Sequence, residues 1–363
     1  MNKIDKARQE IDRIDSEMAK LFVERMKASE VVAQFKREKG LQVYDPIREN
    51  AVIEKNSKLV EDRTLREYYA AFLRNNMELS KKYQSRLLKG MKVAFSGVAG
   101  AFADVASKRI FPDGEKVSFG SFAQAYKSVE NGECDCCVLP IENSFAGEVG
   151  QVIDLIFSGS LYVNGVYSLK ITQNLLGIKG SKKEDIKEVV SHPQALAQCA
   201  EYLRRMGCKT TESVNTAIAA KDVLERNDRS VAAIASRETA QIYGLEVIDH
   251  DINESSANAT KFAVLSRSSN ERTRSGRMIL LFSVKQVAGA LAKAINVLGK
   301  YGCNMLSLRS RPMKEPAWQC YFFIETECDI SDEKLEKMLG ELSEQCERLK
   351  IAGYYSDTVD LGR

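Results

Sequence analysis

Residues 136–147 read CCVLPIENSFAG, an apolar run that meets a proline and then a polar triplet. The apolar part predicts a buried strand that follows a helix and ends at Pro140. Glu142, Asn143 and Ser144 then lie at the carboxyl edge of the strand, where open α/β sheets commonly place ligand-contacting groups. A polar turn with Asn143 or Ser144 as a helix cap is the simpler alternative. The stretch predicts an α/β domain and leaves both interpretations of the triplet open.

Similar segments follow on the carboxyl side. The segment VVSHPQALAQC places Ser191 and His192 at the end of another strand, and Gln198 on the next helix. A further helix begins in TESVNTAIAA, SVAAIAS is typical of a buried strand, and Thr260 lies just before a strand in NATKFAVLS. A lone histidine in such a position is more simply a structural hydrogen-bonding residue than a catalyst. This alternation of strands and helices is typical of an α/β domain.

On the amino side, the segment KVAFSGVAGAFADVAS predicts a strand, a glycine turn and a helix. The spacing of Gly97 and Gly100 is not GxGxxG, and no GK[ST] follows, so a phosphate loop has weak support. The alternative is a helix N-terminus whose backbone N–H groups are offered to a carboxylate.

The chain as a whole divides into three blocks. We expect domains at 1–89, which has helical patterns only, at 90–268, which alternates strands and helices, and at 277–358. The polar residues 266–276, SRSSNERTRSG, are typical of a linker.

The third block has the order β-α-β-β-α-β, which is that of a ferredoxin-like fold. The predicted strands and helices are, in chain order, strand 277–285, helix 288–300, strands 303–311 and 318–327, helix 331–346 and strand 349–355.

The composition of the 363 residues narrows the chemistry. Lys and Arg number 53 against 50 Asp and Glu, whereas a nucleic-acid binder usually needs a broad cationic face. With two histidines, most histidine-based metal sites and triads are disfavoured, and we expect neither a metal nor another cofactor. No apolar run is long enough to span a bilayer, and nine cysteines in a chain of this length predict reduced, mostly buried thiols in a cytoplasmic protein. The chemistry must use Arg, Lys, carboxylates, hydroxyls and amides.

The first block begins with a long helix whose apolar residues recur at spacings of three and four. They are Ile4, Ala7, Ile11, Ile14, Met18, Leu21, Ala28, Val32 and Phe35. Arg25 falls inside this seam, and a buried arginine needs an anionic partner. Lys36, 11 residues on, shares the same face. Arg25 therefore either binds an anionic ligand or pairs with a carboxylate of another helix, and the pattern favours neither.

A second helix is predicted after a stop at Gly40, which is a C-cap signal. Asp45 is a good N-cap and Pro46 a good first helical residue. Arg48 and Glu49 follow within about the first turn.

A third helix is predicted over roughly 64–88, where Ser80 and Gln84 share one face. With it, the block resembles the all-helical chorismate mutase domain of bifunctional chorismate mutase–prephenate dehydratases, over nearly all of residues 1–88. The motif positions are occupied by Arg8, Arg25, Lys36, Asp45, Arg48, Glu49, Ser80 and Gln84.

The resemblance implies catalytic roles for Lys36 and Gln84, which would face the ether oxygen of chorismate, and for Glu49, which would accept its ring hydroxyl. Substrate binding is implied for the remaining motif residues, Arg8, Arg25, Asp45, Arg48 and Ser80. The reaction needs a substrate held in a reactive shape and donors where charge develops, with no nucleophile or general base. Residues 1–89 carry 20 basic and 15 acidic side chains, a net charge of +5 that suits a dianionic substrate.

Arg8 and Arg25 are 17 residues apart, or about 25 Å along one straight helix. Both cannot reach one small molecule from the same helix. We therefore expect Arg8 to come from a second subunit, which makes the protein at least a homodimer.

The middle block resembles a prephenate dehydratase domain, because LPIENSFAG, SHPQ, ESVNTA, AAIAS and TKF occur in the order of that family. The resemblance implies two α/β lobes with the active site between them. Thr260 would assist loss of the ring hydroxyl of prephenate. Substrate binding is implied for Glu142, Asn143, Ser144, Ser191, Gln198 and Lys261.

This block departs from the family at three positions. Lys261 replaces an arginine, Val98 a proline and Ala103 a hydroxyl residue. Lysine keeps the charge but loses the planar fork that binds carboxylates in two places.

The third block resembles an ACT regulatory domain, which implies phenylalanine as an effector. Gly289, Ala290 and Leu291 match its first motif. The second motif, ESRP, is here Arg309, Ser310, Arg311 and Pro312, so an arginine replaces the acid.

Three interpretations follow. The first is a bifunctional enzyme that converts chorismate to prephenate and then to phenylpyruvate, with prephenate and chorismate as its small-molecule partners. The middle domain could instead act on arogenate. An α/β module with an ACT domain could also be a non-catalytic amino-acid sensor, although such a sensor has no use for the mutase residues.

Overall fold

The computed structural model describes residues 2–38, 46–255, 257–271, 276–313 and 319–362. The chain forms two compact units, Met1–Met91 and Lys92–Arg363. The predicted helix stop at Gly40 and cap at Asp45 lie outside the described residues.

The first unit consists of helices in its described residues: α1 (Lys3–Glu38), α2 (Pro46–Ser57) and α3 (Arg63–Lys89). Both α1 and α2 pack on α3. Asp62 caps α3, because its carboxylate accepts hydrogen bonds from the backbone N–H groups of Thr64 (2.8 Å) and Leu65 (3.0 Å). The all-helical prediction for this block is confirmed.

The second unit begins with an α/β lobe. Its elements are β1 (Lys92–Ser96), α4 (Phe102–Ile110), β2 (Glu115–Phe119), α5 (Phe122–Glu130), β3 (Cys136–Asn143), β4 (Gly147–Glu148), α6 (Gly150–Ser158) and β5 (Tyr162–Lys170).

A second lobe follows, and the chain then returns to the first lobe. These elements are β6 (Asn174–Gly177), β7 (Glu188–Ser191), α7 (Pro193–Gln198), α8 (Ala200–Met206), β8 (Lys209–Glu212), α9 (Thr216–Arg226), β9 (Val231–Ala235), α10 (Arg237–Tyr243), β10 (Glu246–Asp249) and β11 (Ala259–Ser266).

The remainder of the chain forms the carboxyl-terminal domain. Its elements are β12 (Arg277–Ser283), α11 (Ala290–Lys300), β13 (Asn304–Pro312), β14 (Cys320–Glu327), α12 (Asp332–Gln345), β15 (Arg348–Tyr355) and β16 (Thr358–Asp360).

Each lobe is built on its own sheet. The order is β16-β5-β11-β3-β1-β2 in the first lobe, with β4 paired to β3, and β10-β6-β9-β7-β8 in the second. The neighbouring antiparallel strands β5 and β11 carry the chain out of the first lobe and back into it. The predicted two-lobed α/β fold is confirmed.

The predicted end of the central strand at Pro140 is wrong. β3 continues to Asn143, because Pro140 lies beside a bulge where the pairing with β11 shifts between Lys261 and Phe262. A bulge tolerates a residue without an N–H group. Thr260 lies inside β11 and not before it, because β11 pairs with β3 and β5 at this residue.

The carboxyl-terminal sheet has the order β13-β14-β12-β15, and all of its pairs are antiparallel. The helices α11 and α12 pack together. The predicted β-α-β-β-α-β order is confirmed, with strand and helix bounds within a few residues of those expected.

The carboxyl-terminal domain shares a hydrophobic core with the first lobe. One continuous cluster joins Ile153 and Val163 of the lobe to Leu281 and Phe323 of the domain. The last strand, β16, leaves the domain and pairs in parallel with β5, with Thr358 opposite Val166. Neither feature has a local sequence signal, and the sequence predicted only a polar linker at residues 266–276.

The prediction that every cysteine is a free thiol is wrong for one pair, since Cys303 and Cys328 form a disulfide at the end of the β13–β14 ladder. The other cysteines are free, and most are buried. None of the helices in the described residues is both long enough and apolar enough to cross a membrane.

Candidate active sites

Arg25 lies where α1 meets α3 and has neutral partners. Its Nη1 donates to the backbone oxygen of Asn76 at 3.2 Å and to Ser80 Oγ. Burial lowers the pKa of the guanidinium. No carboxylate of the described residues pairs with Arg25, so the salt-bridge alternative is not realised in that part of the chain.

Ser80 and Gln84 are buried one turn apart on α3, as their spacing predicts. Gln84 Oε1 and Asn76 Oδ1 are buried, and within the described part of the chain neither has a hydrogen-bond partner. Leaving such an atom unsatisfied costs about 1–3 kcal/mol. The side of α3 that carries Arg25's partners therefore holds unused polar groups beside a positive charge.

Glu49 projects from α2 towards α3. Its carboxylate pairs with Lys81 Nζ at 3.1 Å, and Lys81 also pairs with Glu78 at 2.5 Å. Sequence reasoning missed Lys81. The only available signal was its place on α3 one residue after Ser80.

The other mutase residues are spread along the helices. Arg8 is exposed near the start of the continuous helix α1, and Lys36 is half-buried near its end. Arg48 is exposed on α2, and Asp45 lies outside the described residues. A cavity of 740 Å³ beside Arg25 is lined mainly by apolar side chains of α1 and α3.

The dehydratase residues Asn143 and Thr260 are brought together by the pairing of β3 with β11. Asn143 Nδ2 donates to Thr260 Oγ1 at 2.9 Å. Thr260 is 9 % exposed, and within the described residues its hydroxyl accepts this bond and donates none. The hydroxyl is thus held as an acceptor from Asn143 with its proton still available.

Asn143 also links the two lobes. Its Oδ1 accepts from the backbone N–H groups of Phe145 (3.0 Å) and Ala146 (2.9 Å), and from Gln194 Nε2 of α7 at 3.1 Å. These bonds fix which way the amide points, so that Nδ2 faces Thr260 Oγ1 and also Asn258 Oδ1 (3.0 Å) and the backbone oxygen of Ala259 (3.2 Å). Gln194 belongs to the SHPQ segment, but the sequence alone does not identify it as a link between the lobes.

Ser144, Ser191 and Gln198 occupy supporting positions. Ser144 Oγ donates to the backbone oxygen of Ala257 at 3.1 Å. Ser191 is fully buried and donates to the backbone oxygen of Ile234 at 2.6 Å. Gln198 Oε1 accepts from Gln173 Nε2 at 3.1 Å. Ser191 and Gln198 therefore help to build the second lobe.

Glu142 and Lys261 lie beside Asn143 and Thr260 in sequence but bind elsewhere. Their side chains pair at 3.1 Å, and Glu142 also pairs with Arg309 at 2.5 Å. Successive side chains of a strand point to opposite faces of the sheet. The structure therefore separates this charged cluster from the Asn143–Thr260 pair.

The glycine turn lies between the lobes. Gly97 (φ +113°) and Gly100 (φ +86°) have backbone conformations that favour glycine. Thr239 Oγ1 of α10 donates to the Gly100 oxygen at 2.7 Å. Val98 lines a 660 Å³ cavity together with Ser213 of the second lobe. Thr260 and Asn143 do not line this cavity.

His192 has the structural role that its context favours. It is the N-cap of α7, where Nδ1 accepts from the backbone N–H of Gln194 at 3.2 Å. Burial lowers the pKa of its imidazole, which keeps the ring neutral in this role.

The candidate regulatory residues face different ways. Gly289 (φ +79°) is the N-cap of α11, and Ala290 and Leu291 are the first residues of the helix. On β13, Ser310 and Pro312 are exposed. Arg309 and Arg311 are partly buried and pair with acidic residues of the first lobe.

Comparison with known proteins identifies the two catalytic parts. The family model for chorismate mutase type II matches residues 7–85, and the model for prephenate dehydratase matches residues 93–270. A bifunctional chorismate mutase/prephenate dehydratase of Aquifex aeolicus is 31% identical over 98% of this chain and 98% of its own length. The chain belongs to this bifunctional family. It has chorismate mutase and prephenate dehydratase activities and acts in phenylalanine biosynthesis, so the non-catalytic sensor is excluded.

Further relatives of this bifunctional enzyme match its second unit. Arogenate dehydratase 2 of Petunia hybrida is 33% identical over 73% of this chain and 71% of its own length. The structure of GqqA, called a quorum-quenching acylase, is 31% identical with a TM-score of 0.67 and covers 73% of this chain and 97% of that one. A prephenate dehydratase of Arthrobacter aurescens in complex with L-Phe is 25% identical, has a TM-score of 0.68, and covers 73% and 90%.

Proposed function

We propose that the Thr260 hydroxyl is the donor that drives the dehydratase reaction. The observation that carries this proposal is the 2.9 Å hydrogen bond from Asn143 Nδ2 to Thr260 Oγ1. Because the hydroxyl accepts from Asn143, its proton is directed to a further acceptor. The hydroxyl that leaves the ring of prephenate is such an acceptor.

The proposed step is a concerted fragmentation. The bond between the ring and the departing carboxylate breaks, and its electron pair enters the ring as CO₂ leaves. The ring C–O bond breaks at the other end, and the hydroxyl leaves as water with a proton from Thr260, which solvent later restores. Formation of an aromatic ring drives the step, so one donor placed at the leaving group is sufficient.

The test of this proposal is the pair Thr260→Val and Thr260→Ser. Valine keeps the shape and removes the donor, so kcat with prephenate should fall roughly 100-fold or more. Serine keeps the hydroxyl and should retain most of kcat. Equal rates for Thr260→Val and the wild type would contradict the role of Thr260.

The other motif residues of this domain take lesser roles in the proposal. Ser144, Ser191 and Gln198 shape the site through the hydrogen bonds described above. Substrate contact by Glu142 and Lys261 has less support, because both are occupied by their own ion pairs.

For the mutase, we propose that Arg25 binds a carboxylate of chorismate, with Ser80 beside it. Its support is the guanidinium with neutral partners. Lys36 and Gln84 would stabilise the charge that develops on the ether oxygen, and Glu49 would accept the ring hydroxyl. Substrate binding by Asp45 and Arg48 rests on their motif positions alone.

We propose that the second carboxylate is bound by Arg8 of a second copy of the chain. The supporting observation is the exposed apolar seam of α1, which the first unit itself leaves uncovered. Exposed members of this seam are Ile4, Ile11, Ile14, Met18, Leu21, Val32 and Phe35. A patch of this kind marks a protein–protein contact.

Phenylalanine is the proposed effector of the carboxyl-terminal domain. The support is the sheet order of that domain and the relative that is in complex with L-Phe. The proposed contacts are those around Gly289, Ala290, Leu291, Ser310 and Pro312. The domain limits proposed for the chain are 1–89, 90–268 and 277–358. The seven free cysteines support the proposed cytoplasmic location, whereas the Cys303–Cys328 disulfide is unusual there.

Arogenate is the second candidate substrate, because a relative that covers the dehydratase part is an arogenate dehydratase. Arogenate has an ammonium group where prephenate has a ketone. Purified protein incubated separately with the two compounds distinguishes them: phenylpyruvate forms from prephenate and phenylalanine from arogenate. A higher kcat/KM for arogenate would overturn the preference for prephenate.

A further inference from the structure

Ion pairs join the carboxyl-terminal domain to the segment that contains Asn143. From one face of β13, Arg309 Nη2 pairs with Glu142 Oε1 at 2.5 Å. Two residues on, Arg311 pairs with Glu148 Oε1 at 2.6 Å and with Asp154 Oδ1 at 2.9 Å. All three acids lie between residues 142 and 154 of the first lobe.

Glu142 is shared between two cations on different elements. Its Oε2 pairs with Lys261 of β11, and its Oε1 pairs with Arg309 of β13. The side chains of Arg309 and Glu142 are 21% and 26% exposed, so water screens this pair less than a surface pair. Arg309 also lies over the ring of Phe323, 5.9 Å from its centre, which limits the positions that the guanidinium adopts.

The charged residues Glu142 and Lys261 lie on the opposite face of the sheet from Asn143 and Thr260. Glu142 precedes Asn143 in β3, and Lys261 follows Thr260 in β11; the strands pair Glu142 with Lys261 and Asn143 with Thr260. A shift of the backbone at Glu142 must therefore move Asn143 relative to Thr260.

We propose that Arg309 is a positioning residue of the dehydratase, which holds Glu142 so that Asn143 keeps its hydrogen bond to the Thr260 hydroxyl. The proposal rests on the role proposed above for Thr260. It also accounts for the arginine at a motif position where an acid is expected. An acid at position 309 would face Glu142 as a like charge, whereas Arg309 attracts it.

A purely structural role for Arg309 makes a different prediction. The domain is also attached by the shared core and by the pairing of β16 with β5. Apart from lying over the ring of Phe323, Arg309 takes no part in these contacts, so its loss should leave the domain docked. Docking and positioning can therefore be separated by experiment.

The test uses Arg309→Lys, Arg309→Met and Arg309→Glu in the full chain. Thermal unfolding and the kcat and KM for prephenate are measured, and chorismate mutase activity in the same preparation is the internal control. The matched control is Lys300→Ala, which removes an ion pair with Glu341 inside the carboxyl-terminal domain.

The expected order of dehydratase kcat is wild type and Arg309→Lys, then Arg309→Met, then Arg309→Glu. A fall of roughly 10- to 100-fold is expected for Arg309→Glu, because small displacements of catalytic groups have effects of that size. Mutase activity and thermal stability should match those of Lys300→Ala. An unchanged kcat for Arg309→Glu would overturn the proposal, and so would losses that follow thermal stability in every variant.

A double variant guards against misfolding of Arg309→Glu. If the two side chains act through one ion pair, Arg309→Met combined with Glu142→Gln should be no slower than the slower single variant. Multiplying losses would overturn the proposal. Thr260→Val separates the two hypotheses. If it stays active while Arg309→Glu is impaired, the role of Thr260 fails and positioning by Arg309 through Glu142 stands; the reverse result removes the role of Arg309.

Discussion

Lys350 shows how single residues attach the carboxyl-terminal domain. It lies on β15, and its ammonium donates to the backbone oxygens of Ile156 and Gly159, each at 2.5 Å. These oxygens belong to the carboxyl end of α6, where the helix dipole favours a cation. Burial nevertheless lowers the pKa of Lys350 to about 8.

This depressed pKa predicts a pH-dependent stability. In the unfolded chain a lysine titrates near pH ~10.4, so between about pH 8 and that value the unfolded state binds more protons. The contribution of Lys350 to stability should therefore rise with pH across this window. The unfolding temperature of the wild type should therefore rise relative to that of Lys350→Met between pH 7.5 and pH 10. A difference that stays constant with pH would be inconsistent with a buried, titrating lysine.

The sequence did not predict which way the candidate dehydratase residues point. Glu142, Asn143 and Ser144 were expected to act together, because they follow one another in a polar triplet. The continuation of β3 past Pro140 instead alternates them across the sheet. Arg309 is far away in sequence, so its pairing with Glu142 had no local signal.

At the scale of elements, α1 is the helix whose apolar face the fold leaves exposed. The helix is continuous from Lys3 to Glu38, so the separation of Arg8 and Arg25 along it is fixed. Leu21 and Ile4 are 63% and 61% exposed, whereas the periodicity of the sequence predicted a packed seam. The pattern was predictable, but what covers it was not.

Subunit mixing tests this interpretation of α1. Neither Arg8→Ala nor Arg25→Ala should be active as a mutase when each forms homodimers. Mixed dimers contain one site with both arginines, so co-refolding the two chains should restore up to about a quarter of wild-type activity per chain, since about half of the dimers are mixed and each has one intact site. The mixture should remain inactive if each site is built within one chain.

At the scale of the whole molecule, the two compact units match the two catalytic activities. The mutase family match ends at residue 85 and the dehydratase match begins at residue 93, on either side of the unit boundary at Met91. The carboxyl-terminal domain is different, because it shares its core with the first lobe. An effector bound to that domain is therefore in a position to act on the dehydratase directly.

Calorimetric titration with phenylalanine tests whether that domain receives an effector. We expect saturable heat and a fall in dehydratase rate at the same concentrations of phenylalanine. Ser310→Glu, which places a charge on the exposed face of β13, should weaken phenylalanine binding. A flat titration of the wild type would remove phenylalanine as the effector.

The most direct test that Thr260 is the dehydratase donor in this bifunctional enzyme is a time course that starts from chorismate. It compares the wild-type chain with Thr260→Val. The wild type should convert chorismate to phenylpyruvate through prephenate. The variant should consume chorismate at the wild-type rate and accumulate prephenate, because only the dehydratase loses its donor. Wild-type production of phenylpyruvate by Thr260→Val would contradict the account.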